Sequence, residues 1–484
     1  MTPEEFRRAG HELIDWIADY RERVVREEFP VMSRSAPGEL RAALPASPPQ
    51  HPEDFAAIRR DLDTLILPAC THWQDPRFHG YFPSNGLPAA VLGDLVSTGL
   101  GQLGLNWQSS PALTELEEVC LDWWRQMLGL SERWSGVIQD TASTATFVAL
   151  VCARERASNH ASSRGGLQDV RSPLVVYVSS QAHSSVEKAA LLAGFGRDNV
   201  RALPVDAHFD MRADALASTI AEDRAAGREP CAIVATCGTT ATTAFDPLAE
   251  IAQIARANEL WLHVDAAMAG SAMILPECRA LWDGVEGADS LVVNPHKWLG
   301  VSMDCSTYFV RDPQFLVRVM STNPSYLQTA ADGSVKNYRD WGVPLGRRMR
   351  ALKLWFVIRD QGVTGLQERI RRDLANAQWL SQEIGRTAHW KILAPVRLQT
   401  LVVRHEPAGH DAAAIDAHTR AWAHAVNESG KAFLTPAVID DRWAVRVSIG
   451  AAATSREHLA DLWQHMRETV KKIQAGKIEE GARR

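Results

Sequence analysis

Several features are scarce in this sequence of 484 residues, and each absence excludes a class of protein. There are only seven cysteines, with no C-x-x-C pair, which argues against a disulfide framework and a zinc site. We therefore expect a reducing, cytoplasmic compartment and no metal. No apolar run reaches the roughly 18 residues of a membrane span, and the first residues lack the apolar core of a signal peptide. We expect neither a membrane segment nor secretion.

Positive charge is also in short supply. Lys and Arg total 52 against 58 Asp and Glu, which gives a formal net charge of −6. A chain of this balance has no general basic field to attract nucleic acid or an anionic membrane, so we expect neither as a partner. The remaining composition, 46% apolar and 23% charged, is that of a globular protein, and the length predicts about three domains.

The first segment has the pattern of an amphipathic helix with a well-marked start. Thr2 is a good N-cap, Pro3 suits the first helical position, and Glu5 completes a capping box. The stretch 33–51 is rich in Pro, Ser, Ala and Gly, which is typical of a connector. Since this helix has no evident core of its own, we predict a helical arm over residues 1–86 that packs on a partner subunit.

Between residues 135 and 310, short β-rich runs alternate with helical patterns, which predicts βαβ units and a mainly parallel sheet. The candidate strands are Leu174–Val178, Cys231–Thr236, Leu260–Val264, Ser290–Val293 and Ser306–Val310. Beyond about residue 350, a long helix, two strand-like runs and a closing helix predict a smaller α+β domain. We therefore place a large domain at 87–355 and a small C-terminal domain at 356–484.

Ligands of such sheets bind beyond the carboxyl ends of the strands, where two residue types stand out. Asp265 follows one strand run and precedes the small residues Ala266 and Ala267, which leave room for a flat group. A buried carboxylate needs a cationic partner, and a pyridinium nitrogen would serve. Lys297 follows the next run, where an amine that forms an imine could reach the same group. A lone lysine is more often an ordinary surface residue, so the prediction rests on Lys297 and Asp265 together.

Two further segments complete the pattern. Gln139–Thr146 is dense in small and hydroxylated residues and leads into a helix, and free N–H groups at a helix start bind phosphate. His183 follows a strand run at the same edge of the sheet, where a flat imidazole could stack on a ring. Alone, the first segment is more often an ordinary N-cap and His183 more often a structural histidine. Together with Asp265 and Lys297, they describe a site for pyridoxal 5'-phosphate (PLP).

Motifs spread over nearly the whole chain carry a family resemblance. They are His79–Ser84, Trp107–Glu117, Gln181–Glu187, His263–Ala267, Asn294–Trp298, Asn323–Leu327 and Pro344–Arg348. The chain resembles the group II PLP-dependent decarboxylases of fold type I, and most closely the aromatic-L-amino-acid decarboxylases. The resemblance implies an α/β fold whose large domain holds a mainly parallel seven-stranded sheet sandwiched by helices. It also implies a homodimer with active sites at the subunit interface and a small amino-acid substrate.

The resemblance also implies roles for individual residues. Lys297 matches the lysine that binds the cofactor aldehyde, and Asp265 matches the partner of the pyridinium nitrogen. His183 would stack on the cofactor ring and orient the substrate carboxylate. Tyr326 matches the loop tyrosine that protonates Cα after carbon dioxide leaves. The reaction implied is decarboxylation of tryptophan, phenylalanine, tyrosine or dopa to the arylalkylamine.

Further positions follow from the same resemblance. The cofactor-binding positions are Ala142, Ser143, Asn294 and His296 at the phosphate end and Thr240 and Ala267 near the ring. The positions on the substrate side are Trp73, Ser84, Leu105 and Gly346. Of these, Leu105 would come from the neighbouring subunit. The small Gly346 accompanies acceptance of indole rings in similar plant enzymes.

Three alternatives stay open at this point. The same scaffold serves decarboxylases of acidic or diamino substrates, such as glutamate, cysteine sulfinate or diaminobutyrate, but the motifs around Ser84 and Leu105 carry no cation for an acidic side chain. Related aldehyde synthases usually replace the loop tyrosine or the stacking histidine, whereas Tyr326 and His183 are both present here. A catalytically silent protein that only retains the cofactor is the third alternative.

Overall fold

The computed structural model describes residues 1–322 and 325–476, and of Tyr326 the backbone alone. Asn323 and Pro324, which belong to one of the family motifs, lie outside the described residues. The chain forms two compact units. One unit consists of residues 1–83, 375–393 and 401–484, and the other of residues 84–374 and 394–400. The predicted domain boundaries stay a prediction, as does the packing of the first helix on a partner.

The helices and strands alternate along the middle of the chain as expected. The helices are α1 Pro3–Val25, α2 Glu39–Ala43, α3 Phe55–Asp61, α4 Pro88–Leu100, α5 Pro111–Leu128, α6 Ala142–Ala157, α7 Ser184–Leu192, α8 Ala213–Ala225, α9 Leu248–Ala257, α10 Pro313–Met320, α11 Ala351–Gly385, α12 Ala412–Glu428 and α13 Arg456–Gln474. The strands are β1 Ser135–Gln139, β2 Leu174–Ser179, β3 Val200–Leu203, β4 Glu229–Thr236, β5 Trp261–Asp265, β6 Ser290–Val293, β7 Ser306–Val310, β8 Trp390–Ile392, β9 Thr400–His405, β10 Thr435–Ile439 and β11 Arg442–Ser448.

The larger unit is built on a seven-stranded sheet of order β1-β7-β6-β5-β4-β2-β3. Strands β6, β5, β4, β2 and β3 are parallel, while β7 runs antiparallel to both of its neighbours. All residues of β2, β5, β6 and β7 are buried, which is why these strands read as continuous apolar runs. The predicted mainly parallel seven-stranded sheet, flanked by helices, is confirmed.

The smaller unit contains a four-stranded sheet of order β10-β11-β9-β8, with α12 packed on β11. The N-terminal helix α1 begins as predicted, since Thr2 and Glu5 form a capping box and Pro3 occupies the first turn. The predicted long helix after residue 350 is α11, which is interrupted at Gly362, a residue in the left-handed region at φ 62°. No helix of the described residues is long and apolar enough to cross a membrane.

Candidate active site

Asp265 ends the central strand β5 and is only 6% exposed. Its register partners are Thr236 on β4 and Val292 on β6, so the carboxylate lies between two parallel neighbours at their carboxyl ends. The carboxylate Oδ1 accepts the N–H of Ala267 at 3.0 Å, which fixes the side chain against the turn that follows the strand. A fixed, buried anion at this edge is suited to a ligand with a protonated ring nitrogen.

Lys297 lies at the end of the adjacent strand, in a short π-helical turn that spans Pro295–Leu299. Trp298 anchors this turn, because its buried indole N–H donates to Asp373 Oδ2 at 2.9 Å. The Trp298 carbonyl accepts from Arg369 Nη2 at 2.6 Å. Gly300, at φ 92°, ends the turn in a conformation that favours glycine. The half-buried Lys297 is therefore carried on a rigid element rather than on a mobile surface loop.

A backbone hydrogen bond fixes the ring of His296, the residue before Lys297. Its Nδ1 accepts the backbone N–H of Cys305 at 2.9 Å, so in the neutral ring the proton resides on Nε2. Burial lowers the pKa of His296 to about 4, and the cations of Lys297 and Lys353 act in the same direction. The imidazole is therefore neutral near pH 7 and carries its proton on Nε2.

The helix start predicted to hold a phosphate has the required form. Thr141 is the N-cap of α6, with extended backbone, and its Oγ1 accepts from Thr144 N at 3.5 Å. Ala142 and Ser143 are therefore the first two residues of the helix, where backbone N–H groups have no partner within the helix. Four turns of aligned peptide dipoles add a partial positive charge. This end of α6 is suited to a phosphate.

His183 is the N-cap of α7, just beyond strand β2. Its Nδ1 lies 3.2 Å from Ser185 N, which donates to it, and 2.7 Å from Ser185 Oγ. Partial burial lowers the pKa of the imidazole, Lys297 lowers it further, and Asp265 raises it. The structure thus brings His183 within electrostatic reach of both residues, although they come from three different strand ends.

Thr240 lies in a tightly held loop between β4 and α9. Within this loop, Gly238 N donates to Ala244 O at 2.8 Å, and the hydroxyls of Thr239 and Thr242 are hydrogen-bonded to each other at 3.0 Å. The buried Asp246 closes the loop by accepting the N–H of Thr236 at 2.7 Å. A further bond links two strand ends, since Asn294 N donates to Ala267 O at 2.9 Å. Asn294, Ala267 and Thr240 therefore lie on elements that the fold fixes at one edge of the sheet.

The donor set at this edge fits PLP. The start of α6 would supply N–H donors for a phosphate, and the buried Asp265 would supply an acceptor for a protonated ring nitrogen. Lys297 would supply the amine for the aldehyde, and Ala266 and Ala267, which follow Asp265, have small side chains that leave room for a flat ring. No cationic side chain is needed at the phosphate end, because main-chain dipoles provide the charge.

The predicted substrate-side residues divide between the two units. Trp73 belongs to the smaller unit, where its ring stacks on Tyr81 with centroids 5.5 Å apart. Ser84, Leu105 and Gly346 belong to the larger unit.

In the larger unit, the segment around Leu105 lies against the segment around Gly346. Gly104 N donates to Arg347 O at 2.9 Å, and a Cβ on Gly346 would lie 3.2 Å from Leu103 Cδ1. The structure thus brings these two predicted positions together. Tyr326 lies in the short 3-10 turn Ser325–Leu327, and its side chain is outside what the structure describes.

One buried ion pair was not predicted from the sequence. Glu117 and Arg347 form a buried ion pair, with Arg347 Nη2 2.6 Å from Glu117 Oε1. They are 230 residues apart in the chain, so no local pattern predicts that they meet. Both stand inside family motifs, and that membership is the one signal that could have drawn attention to them.

Comparison with known proteins agrees with this geometry. The "Pyridoxal-dependent decarboxylase conserved domain" matches residues 37–405. Aromatic-L-amino-acid decarboxylase of Bos taurus is 40% identical, with 100% of this chain and 99% of that protein aligned. Phenylacetaldehyde synthase of Arabidopsis thaliana is 39% identical, over 97% of this chain and 96% of its own. The crystal structure of Oryza sativa TDC with PLP and tryptamine matches with a TM-score of 0.94 at 35% identity, covering 98% of this chain and 99% of that one. The predicted resemblance is thereby confirmed, and the chain belongs to the pyridoxal-dependent decarboxylase family.

Proposed function

We propose that this PLP-dependent carboxy-lyase converts an aromatic L-amino acid into its arylalkylamine and carbon dioxide. The observation that carries the proposal is the neutral character of the substrate-side positions. Ser84, Leu105 and Gly346, which all belong to the larger unit, are uncharged. Such a set suits a flat apolar side chain, whereas an acidic one would need a cation. The aromatic substrate of the bovine relative supports the same conclusion.

The residues of the chain divide the work of this reaction. Bound PLP supplies an electron sink for the pair released when the carboxylate leaves. Asp265 keeps a proton on the ring nitrogen, because a fixed buried carboxylate favours the charged form of its partner. Lys297 holds the cofactor between turnovers, His183 covers the ring face and orients the substrate carboxylate, and Tyr326 delivers a proton to Cα.

The test is carbon dioxide release from tryptophan, phenylalanine, tyrosine, dopa and glutamate, with the amine quantified in parallel. We expect release from at least one aromatic acid, with one amine formed for each carbon dioxide. Release from glutamate alone would contradict the proposal and favour the acidic-substrate alternative. A yellow protein that binds PLP and releases no carbon dioxide from any of the five would instead favour a silent cofactor-binding protein.

Aldehyde formation is a second candidate reaction, because the phenylacetaldehyde synthase of Arabidopsis is as similar to this chain as many decarboxylases are. We favour the amine, since both Tyr326 and His183 are retained. Measurement of peroxide and aldehyde beside the amine distinguishes the two reactions. Peroxide in equal amount to carbon dioxide would favour the synthase.

We propose that the working form is a homodimer. Helix α4 exposes an apolar face that continues beyond its C-terminus, formed by Leu92, Leu95, Val96, Leu100 and Leu103, each at least 40% exposed. A contiguous apolar face of this kind favours a protein partner, and a second copy would place Leu105 at the interface. Light scattering should give a dimer mass for the wild type and a monomer mass for Leu95→Glu. A monomeric wild type at micromolar concentration would contradict this assignment.

A cytoplasmic location is our proposal for the compartment. All seven cysteines lie among the described residues as free thiols, and five of them are buried. Free buried thiols are typical of a reducing compartment. Fractionation of cells that express the tagged chain tests this location, and recovery from a secreted or membrane fraction would contradict it.

A further inference from the structure

A buried ion pair holds one edge of the main sheet. Glu117 on α5 is fully buried, and Arg347, which precedes α11, is 5% exposed. Arg347 Nη2 donates both to Glu117 Oε1 at 2.6 Å and to the carbonyl of Ile138 at 2.8 Å. Glu117 Oε1 also accepts the N–H of Ile138 at 2.8 Å. The pair therefore engages both backbone groups of one residue on β1.

The position of Ile138 explains why its backbone needs these side-chain hydrogen bonds. Strand β1 is an edge strand of the sheet, and Ile138 is only 1% exposed. At a buried edge, an N–H and a C=O without partners are costly, and the ion pair takes the place of the missing neighbour strand. Removal of two ions from water is itself costly, so stability alone is weak justification for a charged pair here.

The pair also lies at a junction of site segments. Beyond Ile138, β1 continues into the turn that opens α6, whose first residues are Ala142 and Ser143. The main chain of Arg347 accepts Gly104 N–H, next to Leu105 on the substrate side. One arginine thus joins the end of β1, which leads to the phosphate-binding turn, to the segment that carries Leu105.

We propose that Glu117 and Arg347 are positioning residues that fix the start of α6 for the cofactor phosphate. This proposal rests on the proposed role of Ala142 and Ser143. Its consequence is specific, because loss of the pair should weaken PLP binding beyond any general loss of stability. A pair that only stabilises the fold would lower the unfolding temperature and leave PLP affinity unchanged.

The test compares Arg347→Met with a matched control at the opposite edge of the sheet. There, Arg201 on the edge strand β3 has a side chain that is 26% exposed and pairs with the buried Asp223 at 2.7 Å, so Arg201→Met removes an arginine–aspartate pair at the edge opposite β1. For each variant, we would measure the PLP dissociation constant below the apoprotein melting temperature. The difference in melting temperature between PLP-bound and PLP-free protein gives a second readout, because it depends on the affinity of the ligand for the folded state.

We expect Arg347→Met to raise the PLP dissociation constant by roughly tenfold, as small misplacements of binding groups do, and to shrink the melting-temperature difference. Arg201→Met should lower both melting temperatures and leave the dissociation constant within about twofold of the wild type. If Arg347→Met does not fold, Glu117→Gln takes its place, because it keeps the side-chain volume and an acceptor oxygen while it removes the charge. We expect Glu117→Gln to raise the PLP dissociation constant about threefold.

A folded Arg347→Met variant with the PLP affinity of the wild type would overturn the proposal, as would an unchanged affinity in Glu117→Gln when Arg347→Met is not available. Failure of the proposed reaction is a separate outcome. In that case, the wild type binds PLP and releases no carbon dioxide, whereas the effect of the pair on PLP affinity is still measurable.

Discussion

Four of the buried imidazoles should make this protein sensitive to mild acid. His79, His263, His296 and His405 are each at most 5% exposed. Burial lowers the pKa of His79 to about 3 and the pKa of the other three to about 4, against an ordinary value of 6.5. Each ring is therefore neutral in the folded protein at pH values where it would take up a proton in the unfolded chain.

The sign of the effect follows from this difference. Above pH 6.5, neither state holds the extra proton, so the full stability is present. As the pH falls from 6.5 toward 4, the unfolded chain binds protons that the folded protein does not, and the unfolded state gains free energy. For a folded pKa of about 4, the loss at pH 5 is on the order of 2 kcal/mol for each histidine. The four histidines act in the same direction, whereas the buried Asp246, whose pKa burial raises to about 7, opposes them because its proton binds to the folded state first.

Urea unfolding of the apoprotein at fixed concentration, at pH 8, 6.5 and 5, measures this loss. His263→Gln provides the internal comparison, because His263 lies in β5 with its nitrogens 3.2 Å from Thr146 Oγ1 and 2.9 Å from Ser290 Oγ, positions that an amide can also approach. This variant should reduce the loss between pH 8 and pH 5 by about 2 kcal/mol. A His263→Gln variant whose unfolding free energy keeps the pH dependence of the wild type would refute the reasoning.

Three further substitutions probe the site and its support. Tyr326→Phe should lower the amine yield and raise aldehyde and peroxide, because Cα loses its proton donor; an unchanged product profile would contradict that role. Lys297→Ala should lose the yellow absorbance of covalently held PLP, and retention of that band would remove Lys297 from its proposed role. Gly93→Ala should lower the free energy of unfolding by about 1–3 kcal/mol, because the new Cβ would lie 2.7 Å from the Cα of Lys353, where α4 meets α11. Thermal melting measures this loss, and an unchanged melting temperature would mean that the two helices separate easily.

The interior of the main sheet could be predicted from the sequence, whereas its edges could not. Strands β2, β4, β5 and β6 are buried on both faces, so each appears as an apolar run. The edge strands β1 and β3 were not among the candidate strands. Their sequences, Ser-Gly-Val-Ile-Gln and Val-Arg-Ala-Leu, mix polar and apolar residues, so neither appears as a continuous apolar run.

The same distinction holds for the site. Asp265, Lys297 and His183 could be proposed as a group because each follows a strand, and the carboxyl ends of parallel strands converge at one edge. The start of α6 was recognisable from its hydroxylated residues. By contrast, Leu105 and Gly346 came only from the family resemblance, since their proximity depends on contacts between segments far apart in the chain.

The order of these segments explains why association and catalysis would be linked in the proposed dimer. The apolar face of α4 ends at Leu103, and Leu105 N donates to the carbonyl of that same leucine at 3.0 Å. Arg347, through its carbonyl, holds the intervening Gly104, and through its side chain it holds the end of β1 before the phosphate-binding turn. A partner that covers the α4 face would therefore contact the segment Leu103–Leu105, which Arg347 connects to the end of β1. In such an arrangement, the segment that carries Leu105 and the end of β1 would be held together, because both are hydrogen-bonded to the same buried arginine.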